Sequence, residues 1–139
     1  SSPRKFIQKI SQSQRLFHMD DKQKYNAFRV AAASTDGYTV DTHFGRATDF
    51  YIYQFFDGEW IYVEKRTTPP VCQNGGHSRE DMEKRVELFS DCQYITASRI
   101  GTGASALLTQ KGIIAMALPG DLIEALNKIY TYNEIQNLF

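Results

Sequence analysis

From residue 28 onward the apolar positions switch between short solid runs, every-other-residue spacing and helical spacing, and each switch marks an element. FRVAAAS (28–34) is a solid apolar run closed by the turn signal TDG, the pattern of a strand buried on both faces. DFYIYQFF (49–56) and EWIYVEKRTT (59–68) alternate aromatic or aliphatic residues with polar ones, as half-buried strands do. Asp57-Gly58 between them predicts an antiparallel hairpin, because a type I′ turn needs positive φ at both central positions.

TPPVCQNGGH (68–77) is a loop by its prolines and glycines. Ser78 is placed as an N-cap, with Asp81 completing a variant capping box, and Met82, Arg85, Val86 and Phe89 form the inner face of the helix that follows. CQYITAS (92–98) predicts a second buried strand, GTGASALLTQKG (101–112) a short helix ended by Gly112, and IIAMAL (113–118) a third buried strand. PGDLIEALNKIYTYNEI (119–135) is an amphipathic helix with Pro119 ahead of it and Asp121 as its cap. The order is β, β-hairpin, α, β, α, β, α, without internal repeat. Its second half demands right-handed crossovers and parallel strands, while the hairpin adds antiparallel ones at an edge. The expected fold is therefore α/β, a ribonuclease-H-like three-layer sandwich with a mixed five-stranded sheet. Residues 29–34 should run parallel to residues 93–98 in that sheet.

Residues 1–27 are rich in Ser, Gln and Lys with few apolar positions and are expected to form a flexible N-terminal arm or linker, leaving residues 28–139 as the domain. Sixteen basic and sixteen acidic residues cancel, so no whole-molecule field draws nucleic acid or an anionic membrane, and an anionic ligand needs a local site. No apolar run approaches the roughly 20 residues of a membrane span, and no secretory signal pattern opens the chain. Two cysteines, Cys72 and Cys92, make no disulfide framework, so a reducing cytoplasm is expected.

In an open α/β sheet the ligand crevice lies beyond the carboxyl ends of the strands, where strand order reverses. The loops there are TDGYTVDTHFG (35–45) and RIGTGA (99–104). The second opens a helix, so Gly101, Thr102 and Gly103 can offer backbone N–H groups to an anion; GTG alone is a weak motif that capping explains equally well. His43 stands in the first loop, where a histidine is usually solvated. His77 closes NGGH just before a helix, where an N-terminal role is equally available, and Cys92 reads as core. Cys72, His77 and His43 form a Cys-x4-His pair plus a distant histidine, short of the four-ligand spacing of structural zinc. Soft thiolate and imidazole on glycine-rich loops suit iron–sulfur or molybdenum-containing material better than a hard cation. Arg46 and Arg99 are placed to balance a negative ligand. A metal-dependent nuclease would need carboxylates on the strands, yet RVAAAS carries none, and Asp36, Asp41 and Asp49 lie in or beside the loop. A small-anion or nucleotide-binding sensor built on the glycine loop is the other alternative.

RVAAASTDG, VDTHFGRATDFYIYQF, NGGH leading into a helix, and DCQYITASRIG closely resemble the dinitrogenase iron–molybdenum cofactor-binding family, which includes the NifX and NafY carriers and the C-terminal domain of NifB. The resemblance covers about Phe28 to Tyr130. It implies a ribonuclease-H-like fold and a non-enzymatic module that binds iron–molybdenum cofactor, or its iron–sulfur precursor cluster, and passes it toward dinitrogenase. Nitrogenase assembly proteins or dinitrogenase are the implied partners. The family's HFG histidine falls on His43, with Phe44, Gly45 and Arg46 beside it, and its NGxH segment falls on Asn74, Gly75 and His77. Cys72 is not carried over by the resemblance and stays a candidate metal ligand on the residues alone. The chain has no CxxxCxxC of a radical S-adenosylmethionine domain, and its N-terminal segment is too short for the extra helical domain of some carriers. It opens on Ser1 rather than methionine, which leaves a free small carrier and a domain cut from a larger protein both open.

Overall fold

The computed structural model describes residues 27–71 and 78–138, so the expectations for the N-terminal arm and for Cys72, Asn74, Gly75 and His77 lie outside the described residues. The elements are β1 (Phe28–Ala33), β2 (Thr39–Val40), β3 (Asp49–Phe56), β4 (Glu59–Thr67), α1 (Ser78–Glu87), β5 (Tyr94–Ala97), α2 (Thr102–Gln110), β6 (Ile114–Ala117), β7 (Gly120–Asp121) and α3 (Leu122–Gln136). The cap assigned to Ser78 rests on a side chain outside the described residues.

One mixed sheet of five strands runs in the order β4-β3-β1-β5-β6. β1 pairs antiparallel with β3 and parallel with β5, and β5 pairs parallel with β6, as the strand pattern requires. β3 and β4 form the expected hairpin, with Asp57 at φ 55° and Gly58 at φ 78°. Central β1 alternates its side chains between two cores. Ala31 and Ala33 join Phe44, Phe50, Ile52, Val86, Phe89 and Leu108 on the face covered by α1 and α2. Val30 and Ala32 join Tyr53, Tyr94, Leu122, Leu126 and Ile129 under α3. Burial on both faces explains why β1 reads as a solid apolar run. Its alanines sit opposite large β3 residues, Ala31 against Ile52 and Ala33 against Phe50, so small and large side chains fill the layer together.

Two features depart from the sequence reading. β6 is not buried: it is the sheet's outer strand, and Ile114 and Ala117 are exposed while Ile113 just before it is packed. A solid apolar run looks the same whether a strand has one neighbour or two. β2 and β7 form a second, two-residue ladder, Thr39 with Asp121 and Val40 with Gly120, that pins the β1 loop to the start of α3. Two residues carry no period to read. Asp121 is the expected cap, accepting from Glu124 N at 3.0 Å. No helix among the described residues is long and apolar enough to cross a membrane.

Among the described residues the most buried cation, Arg85 of α1, is 2% exposed. Its Nη1 donates to the carbonyls of Phe44 and Ala47, both at 2.7 Å, and Nη2 donates to the carbonyl of Pro69. The guanidinium lies over the rings of Phe44 and Phe50, 5.8 and 5.4 Å from their centroids. Burial lowers its pKa to about 10, which leaves it protonated at neutral pH. Just past the C-terminus of α1, Asp91 receives Arg29 Nη1 and Arg66 Nη2, each at 2.7 Å, tying β1 and β4 to the turn before β5.

Replacing Arg85 by Met should cost about 3 kcal/mol or more in urea unfolding, because three inward carbonyls lose their donor. The Asp91 carboxyl sits well below its ordinary value because Arg66 bonds it; burial opposes this, and Arg29 adds to it. A carboxylate held below its unfolded value stabilises the fold above about pH 4, and that contribution fades as pH falls. Asp91→Asn should therefore flatten the acid limb of the stability curve while costing no more than about 1 kcal/mol at neutral pH, since the pair is partly exposed.

Candidate functional site

β1 and β5 are adjacent parallel strands, and from them the chain departs toward opposite edges of the sheet, β1 pairing with β3 and β5 with β6. The loop after β1 is organised by its own polar side chains. Asp36 accepts from the amides of Tyr38 and Thr39 at 2.8 and 2.9 Å, and Ser34 Oγ accepts from Gly37 N at 2.9 Å. Asp41 accepts from Thr35 N at 2.9 Å and from the Thr35 hydroxyl. The amide bonds from Tyr38 and Thr39 lower the Asp36 pKa. For Asp41, burial pushes upward but the Thr35 bonds outweigh it. These two carboxylates are thus taken up by the loop. Among the described residues no three His, Cys, Asp or Glu side chains cluster in a metal-holding group.

The loop then meets the exit of β5. Ser98 N donates to Thr42 O at 3.0 Å and Phe44 N to Arg99 O at 2.9 Å, so His43 and Arg99 lie side by side in a parallel bridge. A tight turn follows, with Arg46 N and Ala47 N both donating to His43 O. Phe44 drives its ring into the core, 5.7 Å from Phe50, while His43 stays exposed. The loop is anchored on one side of the backbone and presents its imidazole on the other.

His43, Gly45, Arg46, Met82, Arg99, Gly101, Thr102, Gly103 and Ala104 line an open cleft of about 530 Å³. α2 begins at this cleft without a side-chain cap on Gly101 and without an acidic residue in its first turn. Its first amides therefore remain available to water or an anion. A second cavity of about 510 Å³ shares Gly45, Met82, Gly103 and Ala104 and continues between α1 and α2 past Val71, Arg79 and Leu107. Arginines 46, 79 and 99 line the pair of cavities, and no carboxylate among the described residues does. A neutral chain thus carries a local cationic site.

The structure brings together His43, Gly45, Arg46, Arg99, Gly101, Thr102 and Gly103. Phe44 belongs to the core and holds the loop rather than lining the cleft. Cys72, Asn74 and His77 fall in the span between Val71, whose amide donates to Gly45 O at 2.8 Å, and α1. Cys92 is core as expected, and burial, with Asp91 beside it, pushes its thiol up to about 12, so it is no thiolate donor at neutral pH. Met82 is the residue that sequence reasoning missed. Its place at the first inward position of α1 signals packing, and only the fold puts it on the cleft wall. The available groups are an exposed imidazole, a thioether, arginines and open amides. That set suits a soft anionic guest better than a hard, carboxylate-seeking cation.

The profile of the family described as dinitrogenase iron-molybdenum cofactor matches residues 26–132. Protein NifY of Klebsiella pneumoniae is 37% identical over 98 residues, covering 69% of this chain and 41% of that protein. The FeMo cofactor biosynthesis protein NifB of the same organism is 35% identical over 97 residues, covering 63% of this chain and 20% of that one. This chain therefore spans less than half the length of either relative. Protein NifX of Klebsiella pneumoniae is 27% identical over 123 residues, covering 85% of this chain and 74% of that one. An NMR structure of a Thermotoga protein described as NifB superposes with a TM-score of 0.51 at 24% identity, over 76% of this chain and 88% of that one, a likeness of fold.

Glycines separate folding needs from site needs. Gly37 has φ +79° and a Cβ there would stand 2.9 Å from the Tyr51 ring, whereas a Cβ on Gly103 meets nothing within 4 Å. Gly37→Ala should lower stability by at least about 1–2 kcal/mol, while Gly103→Ala should raise it by about 0.5 kcal/mol, both read from thermal melts.

Proposed function

This chain belongs to the dinitrogenase iron–molybdenum cofactor family, and on that premise we propose that it is a non-enzymatic binding and carrier module for iron–molybdenum cofactor or its iron–sulfur precursor cluster. Its place would be in nitrogenase cofactor biosynthesis, in the cytoplasm, with nitrogenase assembly proteins or dinitrogenase as donor and acceptor. The observation that carries this reading is the exposed His43, held by two stitched loops at the mouth of an arginine-lined cleft that no carboxylate among the described residues lines. The cluster is cargo. An unprotonated imidazole nitrogen can donate to an exposed metal, Arg46 and Arg99 offset negative charge, and the first amides of α2 can donate hydrogen bonds to sulfide or oxygen atoms. Few protein donors make a grip that can be released. Asn74 and His77 would add contacts, with Cys72 as a further thiolate. The sheet order supports keeping the ribonuclease-H-like description as part of this reading.

The uncapped start of α2 also favours a second reading, a small-anion or nucleotide-binding sensor. A metal-dependent nuclease has less support, because Asp36 and Asp41 are engaged within their own loop.

Anaerobic titration with isolated iron–molybdenum cofactor, followed by visible absorption and metal analysis, distinguishes these readings. The unmutated protein should take up cluster, and His43→Ala should bind at least about tenfold more weakly, a loss of roughly 1.4 kcal/mol, with unchanged melting temperature. Full affinity in a folded His43→Ala variant would remove the site assignment. Uptake of phosphate or nucleotide in place of cluster would favour the sensor.

A further inference from the structure

The cleft holds one soft donor that neither the HFG turn nor the NGGH segment supplies. Met82 lines both cavities, is only partly buried at the margin of the core, and approaches the backbone of Gly45, its Cε 3.7 Å from where a Cβ there would stand. Its neighbours along α1, Asp81 and Glu83, are hard carboxylates rather than soft donors. We propose that the Met82 thioether is a second protein contact to the metal–sulfur cargo, in the same cleft as His43, and helps the site prefer sulfur-rich clusters over oxyanions.

The placement of the two side chains is fixed rather than incidental. Arg85 stands three residues after Met82 on α1, and its guanidinium bonds to the carbonyls of Phe44 and Ala47. Phe44 directly follows His43. One buried clamp therefore sets the distance between the helix that carries the thioether and the loop that carries the imidazole. Gly45 lines the same cleft and has no φ in the left-handed region, so the conformation does not require glycine there; a Cβ would rest in ordinary contact with the Met82 methyl. A flexible, polarisable thioether suits an irregular sulfide surface and an exposed soft metal, and it offers an anion such as phosphate little. An aliphatic residue of the same size would pack against Val86 and Phe89 equally well, so packing and contact can be separated.

This inference rests on the cluster-binding reading, and its test is built to fail separately. Met82→Leu keeps volume and packing. It should fold with an unchanged melting temperature yet bind isolated iron–molybdenum cofactor several-fold to about tenfold more weakly. In selenomethionine-substituted protein loaded with the same cofactor, the selenium absorption edge should report a metal neighbour. The protein has three methionines, so the signal is assigned by its loss in Met82→Leu. Undiminished affinity in Met82→Leu, or a selenium spectrum free of metal neighbours, overturns the proposal. If His43→Ala loses cluster while Met82→Leu keeps it, the carrier reading survives and this contact does not; if the unmutated protein binds no cluster, both fall.

Discussion

A guanidinium buried among carbonyls governs the arrangement of this molecule. Arg85 reaches 41 residues back along the chain to Phe44 and 38 back to Ala47, and also bonds Pro69. Two of these carbonyls belong to the turn after His43, and the third to the segment that follows β4. No carboxylate among the described residues neutralises the charge, so the carbonyl dipoles and the faces of Phe44 and Phe50 do so. Each of those carbonyls would be an unsatisfied inward acceptor without the arginine, and the arginine would be an uncompensated buried charge without them. Such mutual dependence gives one arrangement of loop and helix rather than many. It turns a surface loop into a rigid platform, with Phe44 as the plug that holds it from beneath.

The electrostatics of the cleft follow from that platform. The loop's own acids, Asp36 and Asp41, bond to amides and hydroxyls of the same loop, and neither lines the opening. Arg46 and Arg99 arrive on the two stitched segments, and α2 points its uncapped start at the same space. Net charge is zero over the whole chain, yet this one face is cationic. A Debye length of about 8 Å at physiological salt makes the local arrangement, not the total charge, decide what a ligand in the cleft experiences.

The sequence carried the strand order because its periods are clean: solid where β1 and β5 are buried on both faces, alternating where β3 and β4 are half buried, broken by Asp57-Gly58. The same information placed His43 and Arg99 at one end of the sheet, since adjacent parallel strands deliver their following loops to the same edge. The HFG turn then singled out the histidine. What stayed hidden depends on contacts between distant residues. Arg85 was legible as an inward position of a helix, but not as a donor to carbonyls some 40 residues away. Met82 shares that helical face and was hidden for the same reason. β6 read as buried because a solid run does not report that it lies at an edge. Gly45 of the HFG turn has no positive φ, so its backbone does not need glycine.

That last point bears on what the cleft is for. Gly101 and Gly103 lie in ordinary backbone regions with open space where a Cβ would be, and Gly45 would meet only the tip of Met82. Folding does not ask for glycine at any of the three. Glycine nonetheless weakens a helix start and leaves a loop more entropy to lose, about 0.5–1 kcal/mol at a helical position. The fold accepts that disadvantage at three positions lining one cavity, beside an exposed imidazole and a thioether. Backbone stripped of side chains lets a bulky guest come close enough to reach amide hydrogens, which a row of alanines or serines would hold away. Phosphate reaches such amides at a single helix start. A guest in contact with bare backbone on both the loop and the helix would have to be larger than a single phosphate.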